Sequence, residues 1–281
     1  MERGKKGLFF KLWDGYVILA EYPFVVNPLN LLFSGKPFIE NFKWKPEKGT
    51  NFLLLDRKTG KLRGNYSTEA FFAFHHVNAF EENDKVIVDI IAYPNTDIVQ
   101  SLYLDILRGD TNKNLVSMGE LRRYEITLSD SSIKYQVLSN DPIELPRINY
   151  ELSNTKNYRF VYGSGSDKNN PNNFLDRLIK IDVQDRSSKI WKEEECYPGE
   201  PVFISSPNAT KEDEGIIISV VLNAKKENSF LLILDAGSFA ELARAEVPQH
   251  IPFGFHGQFY GSSPESMDKK HPLLPSDSAV K

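Results

Sequence analysis

Three times along this chain an apolar run closes on an aspartate, passes through a polar turn and comes back as a second run. Phe52-Leu53-Leu54-Leu55-Asp56 turns through Arg57-Lys58-Thr59-Gly60 into Lys61-Leu62. Leu178-Ile179-Lys180-Ile181-Asp182-Val183 turns through Gln184 to Ser188 into Lys189-Ile190-Trp191, and Leu231-Leu232-Ile233-Leu234-Asp235 turns through Ala236-Gly237-Ser238 towards Ala243-Arg244-Ala245-Glu246-Val247. Short apolar runs with β-forming residues, separated by turn formers, read as β-hairpins. One hairpin type recurring along a chain suggests the blades of a propeller, in which each small sheet buries its faces against its neighbours. The expected fold class is therefore all-β.

Composition agrees with this and excludes several functions. At 281 residues, 41% hydrophobic and 26% charged, the chain can bury a sizeable core. Its formal net charge of −4 argues against a nucleic-acid partner, which needs clustered Lys and Arg. The basic start at Arg3 to Lys6 precedes Leu8-Phe9-Phe10, but Lys11 and Asp14 interrupt any signal-peptide core. No apolar run approaches the about 18 residues of a transmembrane helix. Cys196 is the single cysteine, so no intramolecular disulfide can form, and a reducing, cytoplasmic setting is expected. Asn65-Tyr66-Ser67 and Asn208-Ala209-Thr210 match the glycosylation pattern, and without a secretory signal they read as chance.

Five motifs follow one another in order: Phe74-His75-His76-Val77-Asn78, Leu121-Arg122-Arg123-Tyr124, Glu144-Leu145-Pro146-Arg147-Ile148-Asn149, Tyr197-Pro198-Gly199-Glu200-Pro201 and Phe255-His256-Gly257-Gln258-Phe259. Together they resemble the carotenoid cleavage oxygenases over about Tyr16 to Phe259. The branch they look most like holds the animal β-carotene oxygenases, the retinoid isomerohydrolase of the visual cycle and fungal retinal- and torulene-cleaving enzymes. The resemblance implies a seven-bladed propeller carrying iron(II) on its axis under a helical cap, of which this chain would be the C-terminal part. It implies His75 and His256 as metal ligands, with Glu144 serving His75 and Glu200 serving His256.

A lone histidine beside apolar residues is more often a packed or surface residue than a ligand. What favours the ligand reading is that imidazole suits iron(II), and that a ligating imidazole donates its other N–H to a carboxylate. His76 follows His75 directly, so in a strand the two rings would point to opposite faces. The resemblance assigns the role to His75 and leaves out His76, His250 and His271. In the family two further histidines and another glutamate lie in an N-terminal half with no counterpart here. Before Tyr16-Val17-Ile18, where relatives carry a histidine, this chain reads Phe9-Phe10-Lys11-Leu12-Trp13-Asp14-Gly15. The chain is thus expected to be a truncated form.

Asp97 to Leu107 carries Ile98, Leu102 and Ile106 at helical spacing after Pro94-Asn95-Thr96 and reads as a short cap helix, although Leu102, Leu104 and Ile106 also alternate like a strand. Gly163 to Asn173 reads as a polar loop, residues 1–261 as one partial propeller domain, and 262–281 as a disordered polar tail. Most of the 19 Phe are expected in the core. Those near the histidines, Phe72, Phe74, Tyr93, Phe253 and Phe255, could instead line an apolar tunnel for a rigid polyene. The implied function is oxidative cleavage of a carotenoid or apocarotenoid by iron(II) and O2, with peripheral membrane contact to obtain substrate. Two alternatives stand beside it: an inactive propeller fragment that binds a carotenoid or partner, and a retinoid isomerohydrolase-like enzyme acting on a retinyl ester.

Overall fold

In a computed structural model the chain is described at residues 5–12, 15–109, 118–169 and 175–261. The expected polar tail lies outside these residues, as do His271 and part of the 163–173 loop.

Among the described residues four antiparallel sheets follow one another along the chain. The first is built from β1 (Lys5–Leu12), β2 (Tyr16–Val26), β3 (Phe42–Trp44), β4 (Thr50–Asp56) and β5 (Leu62–Thr68), in the order β1-β2-β4-β5 with β3 paired to β2. The second is β6 (His76–Glu82), β7 (Lys85–Ala92), β8 (Glu120–Thr127) and β9 (Ile133–Val137). The third is β10 (Glu144–Arg147), β11 (Phe160–Gly165), β12 (Arg177–Asp182) and β13 (Ser188–Trp191). The fourth is β14 (Cys196–Pro198), β15 (Val202–Ser205), β16 (Gly215–Asn223), β17 (Asn228–Asp235) and β18 (Glu241–Val247), in the order β14-β16-β17-β18 with β15 on β16. Each sheet runs from its first strand to its last in chain order, as a propeller blade does.

The hairpin closing three of the blades is one device used repeatedly. The Asp56 carboxylate accepts from the Lys58 and Thr59 amides, that of Asp182 from Gln184 and Asp185, and that of Asp235 from Ser238. This is the local bonding that makes Asp a turn former. Four residues past each aspartate the chain takes positive φ, at Gly60 (67°), Arg186 (62°) and Phe239 (65°), and that residue's N–H returns to the aspartate carbonyl at 2.8 Å. In the second blade Ser131 takes the same conformation (59°), but Thr127 ends the strand and Asp130 supplies the carboxylate to the Ser132 amide.

Buried side chains of the first three blades form one cluster, with Phe52, Phe71, Phe80 and Tyr124 at its centre, and those of the third and fourth form another around Tyr162, Trp191 and Phe230. Central strand β7 is buried on both faces, since it packs between blades. Polar joints set the blades against each other. Asp89, fully buried, takes two hydrogen bonds from Arg123 and a third from the Tyr158 hydroxyl, across the second and third blades. The Asn78 amide group there bonds the Ser153 and Lys156 carbonyls and the Thr155 amide. Between the third and fourth blades the Glu212 carboxylate accepts from the Arg159 and Phe160 amides.

Three local features differ from the sequence reading. Gly163, Ser164 and Gly165 belong to β11 rather than to a loop. The cap segment is two short helices, α2 (Asp97–Ser101) and α3 (Leu104–Leu107), after the earlier α1 (Pro28–Phe33) and before α4 (Tyr150–Ser153). Tyr103, extended at ψ 140°, separates α2 from α3. And α1 is an apolar surface element that the sequence did not reveal: it buries no residue, leaving Leu29, Leu32 and Phe33 61%, 74% and 81% exposed, near Phe38 at 67%.

Candidate metal centre

His75 stands immediately before β6 and holds its place through its carbonyl, which accepts from the Ile91 amide. Its ring Nδ1–H donates to Glu144 Oε2 at 2.5 Å. His256 lies in the extended arm 251–261 that follows β18, and its Nδ1–H donates to Glu200 Oε1 at 2.9 Å. The two rings meet edge to face, with Nε2 of His75 3.3 Å from Nε2 of His256. The structure therefore brings together all four residues that the motifs single out, in the pairing expected of them. His76 diverges: its Nε2 contacts the Tyr22 hydroxyl in the first blade. His250 is exposed at the foot of the arm.

Glu144 is positioned by backbone irregularity. Register with β11 shifts between Glu144, opposite Ser164, and Arg147, opposite Tyr162, and Leu145 sits at φ 51° inside the shift. Such a bulge re-aims side chains, and a positive φ at leucine is strain of the kind that collects at functional sites. The Leu145 amide donates to Glu144 Oε2 at 2.7 Å and the buried Tyr93 hydroxyl to Oε1 at 2.9 Å. Burial and the neighbouring Glu144 raise the Tyr93 hydroxyl well above its usual range, which keeps it a donor. Gly163 permits the approach, because an added Cβ would stand 2.4 Å from the Ile143 side chain and 2.8 Å from the Glu144 carbonyl.

Glu200 follows β14 and is fixed through Gly199, whose carbonyl accepts from Ser164 and Ser219 in adjacent blades. Its Oε2 accepts from the Gly257 amide at 2.8 Å and from Arg147 Nη2 at 2.9 Å. Burial works to raise the Glu200 carboxyl, but the bonds from Arg147, His256 and Gly257 outweigh it and hold the group below its ordinary value. At His75 burial works to lower the imidazole, and the hydrogen bond and charge of Glu144 more than offset it, so the ring is the more readily protonated. Arg147 and Tyr93 are functional neighbours that the motifs did not assign to this role.

With both Nδ1–H groups donated to carboxylates, two neutral rings would set lone pair against lone pair at 3.3 Å, a conflict relieved either by a proton on one Nε2, which Glu144 favours at His75, or by a cation accepting both. Two donors about 2 Å from one ion and at right angles stand roughly 3 Å apart, and neutral imidazole suits a borderline divalent ion such as iron(II). Spacing, donor type and carboxylate support fit such an ion. Among the described residues no group of three or more His, Cys, Asp or Glu could hold a metal, and the candidate donors brought together are these two imidazoles.

The aromatic residues singled out by the sequence divide around this pair. Phe72 and Tyr93 are buried in the core, and Phe74 packs edge-on against both beside His75. Phe253 and Phe255, 50% and 80% exposed, line a cleft of about 360 Å³ between the arm and the fourth blade, together with Tyr197, Val220 and Leu231.

Consecutive four- and five-stranded blades, with one carboxylate-backed imidazole at the root of β6 and another on the arm after β18, define a propeller class of protein. The family described as Retinal pigment epithelial membrane protein matches residues 10–261. The chain belongs to this family, the carotenoid oxygenases. It is similar to the mitochondrial carotenoid-cleaving dioxygenase of Macaca fascicularis, at 35% identity over 92% of this chain and 54% of the relative. It is also similar to the human β,β-carotene 15,15'-dioxygenase, at 32% identity over 89% and 51%. Among solved structures, a Synechocystis apocarotenoid oxygenase mutant has a TM-score of 0.81 and 26% identity, covering 92% of this chain and 53% of that one. A cobalt-substituted form of the Synechocystis enzyme has a TM-score of 0.81 and 27% identity, over 92% and 53%. The chain spans about half the length of these relatives. No helix among the described residues is long and apolar enough to cross a membrane.

Proposed function

We propose that this chain supplies the His75 and His256 half of the iron(II) centre of a non-haem dioxygenase that cleaves a conjugated double bond of a carotenoid or apocarotenoid to aldehyde products. The observation that carries the reading is the 3.3 Å approach of two imidazole Nε2 atoms whose Nδ1 atoms are each tied to a carboxylate. Glu144 and Glu200 fix the tautomers and make both rings better donors. Bound iron would supply the activation of O2, and the protein's part is positioning and exclusion of water. Cobalt substitution in the Synechocystis relative supports a metal on this scaffold.

Phe74, with Phe72 and Tyr93 behind it, and Phe253 and Phe255 on the arm would form the walls against which a rigid polyene lies. Exposed α1 supports contact with a membrane surface, from which so apolar a substrate would be drawn. Lys36, Lys43 and Lys45 follow it in sequence. Residues 1–261 act as one partial propeller unit in this reading, and a cytoplasmic setting is favoured, while the macaque relative is itself designated mitochondrial. A second reading, a piece that binds a carotenoid or partner without turnover, is favoured by the donor set of two imidazoles and by the half-length coverage.

Anaerobic iron(II) binding and loss of polyene absorbance under oxygen test the proposal. The 281-residue chain alone should hold iron weakly and leave β-carotene and apocarotenals intact, whereas a chain extended to the full length of its relatives should bind one iron and turn over. No iron binding by the extended chain would refute the metal centre. Steady turnover by the short chain would refute the division of ligands.

A further inference from the structure

We propose that Arg147 is a positioning residue that latches the C-terminal arm, and with it His256, to the propeller axis. Residues 251–261 form neither strand nor helix, and from Pro252 onwards they are exposed. Polar contacts that hold this arm include a hydrogen bond from the Ile251 amide to Ser229 Oγ at its foot, the Nε2 contact of His256 with His75, and a cluster around one ion pair. There His256 and the Gly257 amide each donate to Glu200, and Arg147 donates both to Glu200 and to the Gly257 carbonyl. Gly257 is thus held by its N–H through the carboxylate and by its C=O through the guanidinium. The pair itself is shielded, with side-chain exposure of 6% at Glu200 and 14% at Arg147.

His75 needs no such latch. It stands at the root of β6, against Phe74, and its carboxylate partner is held by the neutral donors Tyr93 and Leu145 N–H. The two imidazoles are therefore held differently, one by the packed core and one by a charge-assisted bond from the next blade. Arg147 also leaves Glu200 only Oε1 free to face the His256 ring, which fixes Nδ1 as the protonated nitrogen and leaves Nε2 turned to His75. Both bonds leave from Nη2, so lysine would keep the charge on one donor nitrogen but not the reach and fixed in-plane direction of the guanidinium.

The proposal rests on the reading of His256 as a ligand only for its purpose, because its test is made on the metal-free chain. The measurements are amide hydrogen exchange along the arm and 15N spectra of labelled histidine in the unmodified chain, Arg147→Gln and Arg147→Lys. In Arg147→Gln, exchange at Gly257 should quicken by about tenfold, the scale of one lost charge-assisted hydrogen bond. His256 should lose its single Nδ1–H tautomer while the His75 signals stay put, and Arg147→Lys should fall between the two. Unchanged exchange or an unchanged His256 tautomer in Arg147→Gln would overturn the proposal. So would loss of amide protection in β16 and β17, which would make Arg147 a structural residue of the fourth blade. Iron(II) added last to the chain extended to the full length of its relatives separates the two ideas: histidine signals that do not broaden there would sink the metal reading and leave the latch standing.

Discussion

Replacing Glu144 separates what its carboxylate does for the fold from what its charge does for the site. Three donors converge on it: His75 Nδ1 at 2.5 Å, the Leu145 amide at 2.7 Å and the Tyr93 hydroxyl at 2.9 Å. The first two share Oε2 and the third uses Oε1. A glutamine can turn its oxygen to His75 and Leu145 and its NH2 to Tyr93, whose hydroxyl rotates to accept. Every hydrogen bond survives, only the charge is lost, and Glu144→Gln should cost about 1 kcal/mol of stability. Glu144→Leu strands all three donors at a site only 13% exposed, and at roughly 1–3 kcal/mol for each it should cost about 3 kcal/mol or more. Metal affinity should follow a different order, because the charge is what makes His75 a strong donor. Glu144→Gln alone should weaken iron(II) binding by about 10–100-fold. Urea unfolding gives the stabilities and anaerobic titration of the full-length protein gives the affinities. Equal stability losses for the two variants, or iron affinity unchanged by Glu144→Gln, would refute this account.

Three further outcomes follow from other parts of the fold. Arg123→Met leaves the fully buried Asp89 with only the Tyr158 hydroxyl, so urea unfolding should show a loss of about 3–5 kcal/mol, largely recovered when Asp89 is also made leucine. At Glu212 burial raises the carboxyl above its ordinary 4.5, against the Phe160 and Arg159 amides that lower it. A raised carboxylate stabilises the fold below the unfolded value and loses that contribution as pH rises through the folded one, so at neutral pH the ionised group is a cost. Glu212→Gln should therefore stabilise the chain at pH 7 by an increment that shrinks as pH falls through the raised folded value and is gone below the ordinary 4.5, and an increment that grows on acidification would contradict the sign. Leu32→Ser with Phe33→Ser should abolish sedimentation with anionic vesicles while leaving the unfolding midpoint in place, because α1 buries nothing.

Much of the fold was legible because its repeating unit is local. An apolar strand, a carboxylate that caps the turn and a returning strand are all visible within about a dozen residues, and the three hairpins read that way are the closing hairpins of three blades. The second blade's hairpin escaped notice because Asp130 does the work from inside the turn rather than from the strand end. Gly163 to Gly165 looked like a loop because glycine and serine are poor strand formers, and tertiary closeness at Ile143 and Glu144 overrode that preference. The periodicity over Asp97 to Leu107 could not register the break at Tyr103, since one extended residue leaves the apolar spacing intact. At the site, the histidines and glutamates were legible through their motifs. Arg147 and Tyr93 were not, because their partners lie 53 and 51 positions away and no local pattern encodes such a distance.

The four residues of β10 show why that information is hidden. In a regular strand Glu144 and Arg147, three apart, would face opposite sides of the sheet. Their partners on β11, Ser164 and Tyr162, are two apart and share a face. Leu145 in the left-handed region and Pro146, which has no N–H to give, absorb the extra residue and turn the odd spacing into an even one. Both side chains then point to the axis, Glu144 to His75 and Arg147 to the Glu200 that holds His256. One short inner strand thereby serves both imidazoles, and a change in its register by a single residue would withdraw one support or the other. The strain at Leu145 is the cost of that double duty, and it falls at the inner edge of the blade, on a strand of four residues that pairs with only one neighbour.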